Sequence, residues 1–118
     1  MTSTGLSGPF PLSKEEIINN VTLPDVPGVY ALGSMGKGGF LVVYVGRSDS
    51  DVHGRLLDHL DSCSHFMFEY YTDPKFAYNR ECELYHLLFL PGNTNHPARP
   101  KDTKLKCPVC DDSHDDTE

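Results

Sequence analysis

The sequence predicts an α+β domain, a small three-stranded antiparallel sheet flanked by helices. Two observations point to the strands. Residues 28–33 and 40–46 form apolar runs joined by a glycine-rich stretch (Gly33, Gly36, Gly38, Gly39), and Phe66 to Thr72 is a third run dense in aromatics. A third observation points to the helices: capping side chains precede segments with apolar residues at helical spacing. With 118 residues the chain can bury one core and is too short for two.

The elements follow in order. Residues 1–12, rich in Gly, Ser, Thr and Pro, read as a mobile arm. Ser13 and Glu16 form a capping box ahead of Ile17 and Ile18, so a short helix is expected over about 14–20. Pro24 and Pro27 break the chain before the first strand. Phe40 to Gly46 is nearly all apolar, as a buried central strand would be. Arg47-Ser48-Asp49-Ser50-Asp51 is rich in helix-starting side chains, and Val52, Leu56, His59, Leu60 and Cys63 then fall at helical spacing with Arg55 beside the stripe. Asp73-Pro74 supplies an N-cap and a first-turn proline for a helix that should run to about Phe89, where Leu90-Pro91-Gly92 stops it. Residues 93–106 have no clear period and read as an extended segment lying over the domain. A single domain is expected over 1–110, with its core in 27–90, followed by a disordered acidic tail at 111–118.

Hydrophobic content of 38% and charged content of 23% suit a folded chain. No apolar run reaches membrane-spanning length, and the start of the chain lacks the basic-then-apolar pattern of a secretory signal. The expectation is a cytoplasmic protein with no membrane partner, whose four cysteines are thiols or metal ligands. The net charge is −7, of which the tail's five carboxylates account for all but −2. A near-neutral body can bind nucleic acid through a local patch, with weak long-range attraction.

Two tyrosines, Tyr30 and Tyr44, sit on the neighbouring strands, with Arg55 close behind on a helix. Phenols beside a fixed cation can handle a phosphate and an attacking water. In the last helix Ala77, Glu81, Leu84 and Leu88 share one face, so a carboxylate stands where a core residue is expected. A buried carboxylate needs an ion-pair partner or a metal. Arg80, Arg55 and Lys75 are the candidate partners. Each residue alone has a plainer reading, as a strand aromatic, a helix charge or a core-edge acid.

Together, Gly28-Val29-Tyr30, Tyr44-Val45-Gly46, Arg55 and Glu81 resemble the signature of GIY-YIG nucleases, with valine in place of isoleucine in both triplets. The resemblance spans residues 27–90, and Asn95-His96-Pro97 through Cys107-Pro108-Val109-Cys110 resembles the ending of a small stand-alone branch of that family. It implies cleavage of a DNA phosphodiester with one divalent metal. Glu81 would hold Mg²⁺ or Mn²⁺, Arg55 would grip the phosphate, and Tyr30 or Tyr44 would orient or deprotonate the water. A phenol acting as base at neutral pH would need a nearby cation to lower its pKa. His59 matches a histidine found in some members and would assist. The alternative from another class is a non-catalytic nucleic-acid or protein binding module that keeps the fold. A protein partner supplying DNA affinity would suit the acidic charge.

Cys107-Pro108-Val109-Cys110 has the spacing of half a structural Zn²⁺ site, for which His96, His86, Cys82 and His114 are possible further ligands.

Overall fold

The computed structural model describes residues 6–88 together with 93, 96, 97, 105 and 107–109. Its elements are β1 (Ser7–Pro11), α1 (Lys14–Asn20), β2 (Gly28–Gly36), β3 (Gly39–Ser48), α2 (Val52–Leu57), β4 (His65–Tyr70) and α3 (Pro74–Leu88). The fold is α+β with an antiparallel sheet of four strands, ordered β1-β4-β2-β3, rather than three. The added strand lies in the segment read as a mobile arm. Phe10 brings it down, its ring 5.5 Å from Phe66 and 6.1 Å from Phe68, with Leu6 and Leu12 buried on either side. Pro9 and Pro11 read as arm residues in the sequence, yet proline is tolerated on an edge strand. Cys110 and the tail at 111–118 lie outside the described residues, as does most of 93–106.

The caps act as their residues require. Ser13 Oγ accepts from the Glu16 amide at 3.2 Å, although the Glu16 carboxylate turns to Asn20 instead of back to Ser13. Asp73 Oδ1 accepts from the Lys75 amide at 2.8 Å. Asp51 caps α2, which is shorter than its apolar stripe: the helix ends at Leu57, and the His59 amide bonds to Leu56 O, closing a tighter turn. The glycine-rich stretch is mostly strand. Gly36 pairs with Gly39 around a Lys37-Gly38 turn.

Helices cover both faces. Tyr30, Leu32, Phe66 and Phe68 pack against Ile17 and Val21 of the α1 region and Val52 and Leu56 of α2. Val29, Ala31 and Val45 pack against Ala77 and Leu84 of α3. β2 is therefore buried on both sides, while β3, expected to be central, is an edge strand.

A β-bulge decides where the β3 side chains point. Leu32 pairs with Tyr44 and Gly33 with Val42, so Val43 is the extra residue. Phe40 and Val42 lie on the α3 side, and without the bulge Tyr44 would follow them. The inserted residue turns Tyr44 and Gly46 to the α2 side, beside Tyr30, and turns Val45 and Arg47 towards α3. Gly33 has no room for a side chain here, because a Cβ would run into Leu41 O.

Candidate active site

The cleft formed at this edge has a volume of about 510 Å³ and is lined by Tyr30, Tyr44, Arg55 and His59, by Glu81, and by Arg47 and Asp58. The five residues singled out from the sequence therefore converge. Arg47 and Asp58 are additions.

Tyr30 and Tyr44 project from adjacent strands with ring centroids 6.3 Å apart, and His59 lies 5.8 Å from the first ring and 5.5 Å from the second. The Tyr30 hydroxyl is 3.5 Å from His59 Nε2. Gly46 is cross-strand from Tyr30, and the phenol lies flat over it: a Cβ there would stand 2.5 Å from both Cζ and the hydroxyl oxygen. The second triplet thus needs its glycine to make room for the first triplet's tyrosine. Gly46→Ala is expected to displace Tyr30, costing about 1–3 kcal/mol in urea unfolding and reducing any activity of the cleft. An unchanged midpoint and an unchanged rate would show that the ring has space to move.

Burial raises both phenol pKa values, Tyr30's strongly, and Tyr44 and Glu81 add to the shift at Tyr30 while Arg55 opposes it. The condition for a tyrosine base, a cation that lowers the phenol's pKa, is not met by Arg55. Arg55 is exposed on α2, where water screens its charge, and desolvation outweighs it. Both hydroxyls stay protonated at neutral pH. His59 is shifted the other way. Burial lowers its pKa below 6.5 against the pull of Asp58, so its imidazole is neutral at pH 7.

Glu81 lies on α3 between Ala77 and Leu84, as the face pattern predicts, with 12% of its side chain exposed. Its ion-pair partner is none of the three expected from sequence. Arg47 Nη1 donates to Glu81 Oε1 at 2.9 Å, and Arg47 Nε donates to Asp49 Oδ1 at 2.8 Å. The guanidinium also sits 5.3 Å from the Tyr78 ring centroid. Arg80 pairs instead with Glu83. Arg47 was missed because it begins a polar run that reads as a loop. One signal was available: it lies two residues beyond Val45, so both point to the same face of the strand. Burial raises Glu81 to a pKa of about 7 although Arg47 pulls it down.

No family model, curated protein or solved structure matches this chain. The functional reading rests on the side chains themselves.

A second group lies on another face of α3. Cys82, His96 and Cys107 bring their ligand atoms within 4.8 Å of one another, a cluster that could hold a metal ion. Of the residues named from sequence for such a site, His86 sits beside His96, its Nε2 3.1 Å from His96 Nε2. His114 lies outside the described residues. No helix among the described residues is long and apolar enough to cross a membrane.

Proposed function

We propose that the chain is a GIY-YIG-type endonuclease that hydrolyses a DNA phosphodiester with one divalent metal ion. The observation that supports it is the convergence of Tyr30, Tyr44, Arg55, His59 and Glu81 on one open cleft. Neither the sheet nor the helix packing requires a buried acid and a neutral imidazole to share a wall with two phenols.

Glu81 suits a hard cation. Its carboxyl is held near pKa 7 with one guanidinium already at Oε1, so further positive charge would favour the ionised form. Mg²⁺ and Mn²⁺ accept one protein carboxylate and keep several waters, which an open cleft allows. When bound, such an ion supplies charge that stabilises the phosphate and the leaving oxygen.

The chain's own groups divide the remaining work. Arg55 presents its planar fork to the non-bridging oxygens. The two phenols, kept protonated by burial, donate hydrogen bonds to phosphate or to the attacking water and so fix its approach. His59 is the cleft's neutral base at pH 7 and can accept the water's proton.

Two expected results follow from these roles. Arg55→Ala should lower kcat about 100-fold and change KM far less, because the guanidinium acts most where charge develops. An unchanged kcat would remove Arg55 from the site. At saturating Mn²⁺ the rate should rise with pH along an acid limb centred below 6.5, since the base must be unprotonated and its pKa is lowered. His59→Ala should lose that limb together with most of the rate. A limb that persists in the variant would assign it to another group.

The Arg47–Glu81 pair favours a second reading, because a paired acid is satisfied without a metal. In that case the chain is a non-catalytic nucleic-acid or protein binding module. One assay separates the two: branched, single-stranded and duplex DNA incubated with Mg²⁺ or Mn²⁺. Metal-dependent cleavage that is lost in Arg55→Ala supports the nuclease. Binding without turnover on every substrate would leave the module.

A further inference from the structure

The Cys82, His96 and Cys107 cluster has no part in the cleft, and its donors are of another kind. Cys82 is fully buried on α3 and Cys107 is 1% exposed. Both are free thiols. They form a small core of their own with Tyr78 and Leu105, apart from the two clusters that pack on the sheet. Packing alone would be better served by aliphatic side chains, and a histidine facing two thiols is not explained by it.

The geometry suits a four-coordinate ion. Zinc–sulfur and zinc–nitrogen bonds of about 2.0–2.3 Å place tetrahedral ligand atoms roughly 3.5–3.8 Å apart. A set spread over no more than 4.8 Å closes to that with small side-chain shifts. Two sulfurs and an imidazole select a soft or borderline cation and discriminate against Mg²⁺.

Two further observations point the same way. The Tyr78 hydroxyl is buried with no well-formed hydrogen bond among the described residues, and it lies against Cys82. A metal-bound thiolate there would be a strong acceptor for it. The His96 ring is also held on both sides, with Nδ1 2.9 Å from Pro97 O and Nε2 3.1 Å from His86 Nε2. Whichever nitrogen turns to the sulfurs, the other keeps a partner, as histidine ligands commonly do.

We propose that Cys82, His96 and Cys107 form a structural zinc site that staples the C-terminal segment to α3. Binding releases two thiol protons to solvent and changes no oxidation state. The three ligands leave the fourth position of a tetrahedral ion to a further donor. The staple would grip α3 at the residue next to Glu81, on a different face from the cleft. It holds whether or not the chain is a nuclease.

The test is metal analysis of the full chain purified without chelator, expected to give one zinc per chain. Chelation should lower the thermal midpoint and free Cys82 and Cys107 for alkylation. Cobalt(II) added to the stripped chain should give the intense visible absorption of tetrahedral thiolate coordination. Cys107→Ser and His96→Ala should each lose the zinc. Cys82→Ser places a hydroxyl in a fully buried position and risks the fold, so the half-buried His96 is the safer variant. Glu81→Gln should keep the zinc, which separates this site from the cleft. Protein that holds no zinc and gives no cobalt spectrum would overturn the proposal, as would zinc fully retained in both Cys107→Ser and His96→Ala.

Discussion

Glu81→Gln is expected to lower Mg²⁺- or Mn²⁺-dependent cleavage about 1,000-fold and, without added metal, to make the chain more stable at pH 8. The two effects share one cause. Glu81 is buried between Ala77 and Leu84, and desolvation holds its carboxyl near pKa 7 against an ordinary value of 4.5. Between those values the folded chain keeps a proton that the unfolded chain has released. Stability contributed by this group therefore falls as pH rises from about 4.5 through 7, and the deficit is complete above 7. Glutamine has the same shape and never ionises. At about 1.4 kcal/mol for each pKa step of one, the gain at pH 8 is on the order of 3 kcal/mol, vanishing near pH 4.5. Urea unfolding at pH 5 and pH 8 measures it. Equal midpoints for both proteins at pH 8 would mean that Arg47 already offsets the burial. Cleavage at the parent rate would end the metal role of Glu81. A loss of activity with a gain of stability is what separates a functional acid from a structural one, because removing a structural ion pair weakens the fold.

Much of the fold was legible because its signals are local. Ser13, Asp51 and Asp73 sit at helix starts, and each side chain accepts the amide hydrogen bond that its position allows. The Ala77–Leu84 face could be read from spacing, and with it the displaced acid. What was not legible depends on residues far apart in the chain. Leu41 to Val45 is apolar on both faces, so it contains no alternation from which to place a bulge, and the bulge decides that Tyr44 joins Tyr30. The strand Ser7–Pro11 was hidden by its prolines, because sequence alone does not say whether a strand lies at an edge. His59 continued a helical stripe, yet reaches the cleft from a turn beyond α2. CxxC spacing pointed to Cys107 as a candidate metal ligand, and the packing of the chain against α3 is what brings Cys82 and His96 beside it. Arg47 gave the weakest signal of all, since its partner is 34 residues away.

Arg47→Met is expected to destabilise the chain by about 3 kcal/mol at pH 8 and by much less at pH 5. Glu81 is only 12% exposed, so its charge is poorly hydrated once Arg47 is removed, whereas Arg47 keeps Asp49 when Glu81 is neutral. Methionine keeps the aliphatic stem and the contact with Tyr78 while deleting the charge. Glu81 then has no guanidinium, and its carboxyl rises further above pKa 7 because Arg47 is what held it down. Above that value the fold bears an unpaired buried carboxylate or a proton taken up against the pH. Near pH 5 Glu81 is protonated in the parent as well, and most of the difference disappears. The double variant Arg47→Met, Glu81→Gln tests the assignment without reference to activity. Adding the two single effects already returns the double variant close to the parent at pH 8; if the pair accounts for the cost, the double variant should exceed that sum by about 2 kcal/mol, a coupling that shrinks at pH 5. If Arg47 matters mainly through Asp49 and the Tyr78 ring, the two substitutions should simply add at both pH values. Mn²⁺ adds a final discrimination. A cation bound at Glu81 would restore stability to Arg47→Met and not to the double variant, so equal rescue of both would place the ion elsewhere.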